Sequence, residues 1–219
     1  MAVKANKQNM KTLRLFNAAL SNVETTEGVP EVMSDLGYGP DTINEGKKLM
    51  EDARKAFATC VSNKDVRVHY YDAFALKKKE LGEMYEDHRN RARLVYRNNR
   101  ARARLLAVSG SMPQTYDLMM ESIRKLYEEA AKDPAILEEL ASTNITREDI
   151  DAGLAKIEEV EAAWTEHLKY KGISQNATVN KDEAFVKLHS WMKGFYIAAK
   201  IGLKHEPQLL ESLGKVVKN

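Results

Sequence analysis

Apolar positions recur at helical spacing through most of the chain. From residue 12 to 23, Leu13, Phe16, Leu20 and Val23 fall on one side of a helix. After a break at Glu24–Gly28, Pro30 suits the first turn of a second short helix, with Val32, Met33 and Leu36 on its apolar side. Together these define short helices over 12–36, and Gly37-Tyr38-Gly39-Pro40 stops the second. A long helix is then expected over 41–108, with Thr42-x-x-Glu45 in the form of a capping box. Its stripe runs at three-four spacing through Phe57, Val61, Lys64, Val68, Tyr71, Ala75, Lys78, Gly82, Tyr85 and Ala92. So narrow and partly polar a stripe suits a helix with one or two neighbours. Ser109-Gly110-Ser111-Met112-Pro113 ends this half. The second half repeats the plan, with short helices over 115–141, a long helix over 147–205 and a C-terminal turn over 208–213. Residues 1–11 are polar and lysine-bearing, and fraying is expected there.

The repetition is also literal. Shifted by 107 positions, Thr42–Asn99 aligns with Asp149–Glu206 without a gap, placing Ile43 on Ile150, Gly46 on Gly153, Leu81 on Leu188 and Ala92 on Ala199. Arg93 falls on Lys200 and Arg97 on Lys204. The short helices instead fit a shift of 104, pairing Pro30 with Pro134 and Leu36 with Leu140, so a three-residue insertion is expected near 142–146. The chain therefore reads as a first repeat over 1–109 and a second over 110–219, forming one intertwined unit.

The expected fold is all-α. Two long antiparallel helices, coiled-coil-like and each on the order of 85 Å at ~1.5 Å per residue, would carry a small helical lobe at each end. The alternative bends each long stretch near 62–65 and 172–178 to give a compact four-helix bundle of two hairpins. A short helix pair cannot bury its apolar side alone, so each lobe needs the end of the returning long helix. One core would hold Phe16, Met33, Leu36, Leu203, Leu209 and Leu213, the other Leu94, Leu105, Leu106, Met119, Leu137 and Leu140.

Composition narrows the function classes. With 11 Gly and 5 Pro in 219 residues, long helices are favoured over sheets. A single Cys60 cannot form an internal disulfide, which points to a reducing, cytoplasmic setting. No apolar run approaches ~18 residues, so no membrane span is expected. The net charge of +2 is too small to imply nucleic acid by itself.

No catalytic motif stands out. None of His69, His88, His167, His189 and His205 has a glutamate three residues before it, as a di-iron bundle would want. Solvated or edge-packed histidines are expected, with Cys60 a small buried filler and Trp164 and Trp191 core anchors. No metal site, no cofactor and no catalytic residue is assigned, and a non-enzyme is expected. The sharper feature lies between Arg89 and Arg104, where seven arginines occur without an acid. Arg89, Arg93, Arg97, Arg100 and Arg104 follow three-four spacing, which on one helix makes a ridge able to track phosphates, with Tyr96 available to stack on a base. The competing expectation is internal pairing with the ten acids of residues 117–151.

The C-terminal run Trp191-x-x-x-Phe195-x-Ile197-Ala198-x-Lys200-Ile201-x-Leu203, followed by Pro207-Gln208-Leu209-Leu210-Glu211-x-Leu213-Gly214, adds a resemblance. With the two-copy layout and Gly46 and Gly153, it resembles a group of uncharacterised bacterial all-helical proteins. Its motif is mainly apolar, so it implies fold and carries over no site residue. In the first repeat the match weakens after Tyr96, with Arg100 in place of Pro207. The expected function is a non-enzymatic structural or protein-interaction helical protein, with a protein partner or self-association and no small-molecule substrate. The alternative is a nucleic-acid-binding accessory protein using the arginine ridge.

Overall fold

The computed structural model describes the backbone of residues 2–215 and the side chains of residues 7–215. Among these residues there are eight helices and no strand: α1 (Ala2–Thr25), α2 (Val29–Asp35), α3 (Pro40–Val95), α4 (Arg100–Leu105), α5 (Tyr116–Lys132), α6 (Pro134–Ala141), α7 (Arg147–Gly202) and α8 (Leu209–Ser212). The protein is all-α. No described helix is long and apolar enough to cross a membrane.

Helices α3 and α7 each run 56 residues without interruption, through 62–65 and through 172–178. The hairpin alternative therefore does not occur. The poor helix formers of the second stretch are held by packing, since Ser174 and Ala177 are both buried within α7. Two boundaries differ from expectation. Helix α1 already begins at Ala2, so residues 2–11 are helical. The long helix expected over 41–108 ends at Val95, because the Asn99 side chain accepts the Arg102 N–H at 3.1 Å and caps a new helix, α4. The capping box at Thr42 is not formed either, as α3 starts at Pro40 and the Thr42 hydroxyl donates to the Gly37 carbonyl at 3.0 Å.

Contacts divide the chain into two units that cut across the repeat boundary. Unit 1 takes residues 1–65 and 172–219, and unit 2 takes residues 66–171. In unit 1 the short helices bury Leu13, Leu20, Val23, Val29 and Met33 against Ile43 and Met50 of α3, and against Phe195, Ala199, Leu203, Leu210 and Leu213. Asn22 Nδ2 donates to the Ser212 carbonyl at 2.6 Å, tying α1 to α8. In unit 2 the matching set is Met120, Ile123, Leu126, Tyr127, Ile136 and Leu140 against Ile150, Ile157, Leu81, Tyr85, Tyr96 and Leu106. Of the expected core residues, Leu36, Leu94 and Leu105 are instead exposed. Leu94 and Leu105 flank the break at 96–99, which turns them off the continuous helix face assumed for them.

Within each unit α3 and α7 run antiparallel. In unit 1, Phe57 meets Phe185 and Cys60 Sγ lies 3.6 Å from Thr178 Oγ1. In unit 2, Tyr70 stacks on Tyr170 at 3.9 Å and Lys77 pairs with Glu159 at 2.5 Å. The buried seam falls at multiples of seven residues, through Ala53, Cys60, Phe74, Leu81 and His88 on α3, and through Val160, Ser174, Lys181, Leu188 and Phe195 on α7, with 67 and 167 left out. It lies beside the expected three-four stripe, whose Val68 and Tyr71 face outward.

The two repeats match further than the sequence alignment does. Both ends of α3 and α7 differ by 107 residues, as do the C-terminal ends of α1 and α5. The turn after α2 bonds Tyr38 N–H to the Met33 carbonyl at 2.8 Å, and the turn after α6 bonds Ile145 N–H to Leu140 at 3.3 Å. Gly37 and Asn144 hold the positive φ in these turns, and Ala107 and Gly214 hold it after α4 and α8. Val108 N–H bonds Ala103 and Lys215 N–H bonds Leu210, each at 3.0 Å. All of these pairs keep the 107 register, so the 104 register and the insertion near 142–146 are corrected. Proline is tolerated throughout a first helical turn, and the match of Pro30 with Pro134 is a coincidence of that tolerance.

Candidate functional site

The seven arginines of Arg89–Arg104 separate into two groups, all within unit 2. Three serve the fold. Arg89 is 5% exposed and its Nη2 donates to the Gly110 carbonyl at 2.6 Å. Arg91 pairs with Asp87 at 2.8 Å and donates to the Thr143 carbonyl at 3.3 Å. Arg102 pairs with Asp133 at 2.7 Å, and Asp133 also caps α6 by accepting the Ala135 N–H at 2.9 Å. The Arg102 hydrogen bond is the main cause holding the Asp133 carboxyl below its ordinary pKa. Pairing with the acids of residues 117–151 thus accounts for Arg102 alone, since the partner of Arg91 is Asp87 on its own helix.

The other four are Arg93, Arg97, Arg100 and Arg104. All are exposed, and none makes an ion pair or side-chain hydrogen bond among the described residues. They line one open recess of about 480 Å³ with Tyr96, Ala103, Val108, Ser109 and Gly110. The ridge expected on one helix is therefore built differently. Arg93 lies in the last turns of α3, Arg97 in the turn that follows, and Arg100 and Arg104 on α4. The left-handed backbone at Ala107, with φ of 53°, then turns Val108–Gly110 back as a wall, which Arg89 holds from beneath.

Two expected members leave the site. Arg89 is buried and committed to Gly110, so it presents no charge to solvent. Tyr96 is 3% exposed with its hydroxyl 3.5 Å from the Ile136 carbonyl, so its ring is floor and offers no face to a base. Burial also pushes its hydroxyl pKa up. Ser109 and Gly110 were not foreseen as lining residues. The turn-forming Ser-Gly pair directly after the arginines was the available signal.

The second repeat acts as an internal control. The positions matching Arg93, Arg97, Arg100 and Arg104 hold Lys200, Lys204, Pro207 and Glu211, yet α8 and its exit turn form on the same plan. Packing therefore does not require four guanidiniums there. Each presents a planar fork of donors suited to phosphate or carboxylate oxygens.

A second group in unit 2 was also missed. His88 is buried rather than solvated, with Nδ1 3.0 Å from the Tyr127 hydroxyl. Desolvation lowers its pKa below the ordinary 6.5, keeping the ring neutral at neutral pH. Tyr85 beside it is fully buried, with a hydroxyl that has no hydrogen-bond partner among the described residues.

Comparison with protein-family models, curated proteins and solved structures finds no match to this chain.

Proposed function

We propose that this all-helical protein is a non-enzymatic interaction protein that holds the phosphate backbone of a nucleic acid in the Arg93–Arg104 recess. The observation that carries the reading is the set of four unpaired guanidiniums around one concavity, at positions where the other repeat has two lysines, a proline and a glutamate. Phosphate oxygens are the chemistry that a group of forked donors with no internal acid fits. With Tyr96 buried there is no stacking platform, so binding is independent of base sequence and strongly salt-dependent. The buried free thiol of Cys60 supports a reducing, cytoplasmic setting.

A protein partner is the second reading, and a specific observation favours it. Leu94 and Leu105, 59% and 45% exposed, interleave with the same arginines, a combination that suits an acidic segment with apolar side chains. Fluorescence anisotropy separates the two. A labelled RNA of about 20 nucleotides at about 50 mM salt should bind wild type and release on substitution of Arg97, Arg100 and Arg104 by Ala. No binding of RNA or DNA, with retention on a polyglutamate matrix that Leu94→Ala and Leu105→Ala weaken, would replace the first reading with the second.

A further inference from the structure

A second recess in unit 2 lies on the seam between α3 and α7. It is open, about 270 Å³, and lined by Arg67, Val68, Tyr71, His167 and Lys171. That is just below the range, about 300–1,000 Å³, of drug-sized ligand pockets, so it suits a smaller molecule. The comparison of repeats shows what is unusual here. At the matching positions of unit 1, Ser174 stands for Arg67, Cys60 for His167, Thr178 for Tyr71, Lys64 for Lys171 and Gln175 for Val68. Ser174 and Cys60 are buried, and Cys60 lies against Thr178, so in unit 1 the same crossing is closed by small side chains. Unit 2 places an arginine and a histidine at these two seam positions, and the seam opens.

The lining has two chemical halves. Arg67 and Lys171, one from each helix, are exposed and make no ion pair among the described residues. The rest of the lining is aromatic and apolar. Tyr71 and Val68 are half-exposed, and the Tyr71 ring centre lies 5.4 Å from that of His167. Behind it, His167 continues into Phe74 at 6.1 Å and Trp164 at 5.4 Å. The Nδ1 of His167 is buried with no hydrogen-bond partner among the described residues. Desolvation lowers the pKa of His167, and Lys171 and Arg67 add to that, so the ring is neutral and the recess is left with uncompensated positive charge.

We propose that this recess is a small-molecule site for an aromatic ring bearing one anionic group. The ring lies against Tyr71 and Val68, and the anion bridges Arg67 and Lys171. A purely anionic ligand would not use the aromatic wall, and a neutral ring would leave both cations unmatched. The inference stands apart from the arginine recess, with which it shares no residue.

Saturation followed by NMR or calorimetry on the full chain tests it, with benzoate and phenyl phosphate as probes and acetate and benzamide as controls. Either aromatic anion should bind at one site per chain, and whichever binds more tightly identifies carboxylate or phosphate as the natural group. Arg67→Ser and Tyr71→Thr, which install residues the other repeat already uses, should each weaken binding by at least about tenfold, as loss of a charge-assisted hydrogen bond or a ring contact implies. Lys171→Ala is a separate probe of the same charge, and circular dichroism before titration confirms that each variant is folded. No saturable binding of either anion, binding unchanged in folded Arg67→Ser and Lys171→Ala, or equal binding of acetate or benzamide would each overturn the proposal.

Discussion

Unit 1 and unit 2 are built from corresponding elements, with the long helices 107 residues apart at both ends, but they fill equivalent places with different chemistry. Where unit 1 packs Phe195 against apolar neighbours, unit 2 has His88 bonded to Tyr127, which itself stands where unit 1 has Leu20. Met192 of unit 1 corresponds to Tyr85, whose buried hydroxyl has no hydrogen-bond partner among the described residues. Tyr196 corresponds to Arg89, and both reach the segment after the terminal short helix, Tyr196 through Leu213 and Arg89 through Gly110. On the surface, the positions of the four recess arginines of unit 2 are held in the other repeat by two lysines, a proline and a glutamate. One fold built twice shows which features the fold demands. The exit turns and most of the apolar seam recur, whereas the His88–Tyr127 pair, the four guanidiniums and the Arg67 recess occur once.

The sharpest test of the shared plan is the pair of bare glycines. A Cβ at Gly46 would overlap the Trp191 ring, and a Cβ at Gly153 would overlap the Tyr127 ring. The ring comes from α7 in one unit and from α5 in the other, so the same gap in a long helix is filled from different directions. Gly46→Ala and Gly153→Ala should each destabilise by about 1–3 kcal/mol through overpacking. Urea denaturation measures this, and a large effect at one glycine with none at the other would break the equivalence.

The polar core of unit 2 gives the next largest effect. Tyr127→Phe leaves the buried His88 nitrogen without its partner and should cost about 1–3 kcal/mol. Replacing both, His88→Phe with Tyr127→Phe, should recover most of that, as unit 1 does with apolar residues there. The pH dependence has a fixed sign. His88 has a lowered folded pKa, so the unfolded chain takes the proton first and stability falls as pH drops below about 6.5 toward the folded value. Asp149 and Asp87 oppose this lowering and Arg91 adds to it, with desolvation the largest cause. The double variant should show a shallower loss in this window by thermal melting, with His167 supplying what remains. A melting profile of unchanged slope would remove His88 as its source.

The smallest effect is at the exit turns. Ala107 sits at φ 53° where the other repeat has Gly214 at φ 76°. Ala107→Gly should stabilise by up to about 1 kcal/mol, the left-handed penalty less the entropy cost of glycine. Destabilisation would mean that the Ala107 side chain contributes packing that outweighs its strain.

The helices and their duplication were readable in the sequence because apolar periodicity and the paired glycines leave direct marks. The seam was not, because its seven-residue steps include Cys60, Ser174 and Lys181, while the outward Val68 and Tyr71 mimic a core stripe. The break after Val95 was hidden in a run of good helix-forming arginines, where one capping Asn99 decides the outcome. Spacing picked out the four free arginines, but it also drew in Arg89. Only tertiary structure separates a guanidinium bonded to Gly110 from one facing solvent. The Arg67 recess had a readable trace that passed unnoticed, since seam positions that change from Cys and Ser to His and Arg between repeats are visible in the alignment itself.

On the proposed function, unit 2 adds a phosphate-binding surface to a scaffold that does not need one. The most direct measurement is the slope of log binding constant against log salt for a single-stranded oligonucleotide, taken with wild type and with Arg93, Arg97, Arg100 and Arg104 all changed to Ala. Four phosphates neutralised predict a wild-type slope of about −3 and a slope near zero in the folded variant. Equal slopes in the two proteins, or no binding at low salt, would contradict the account.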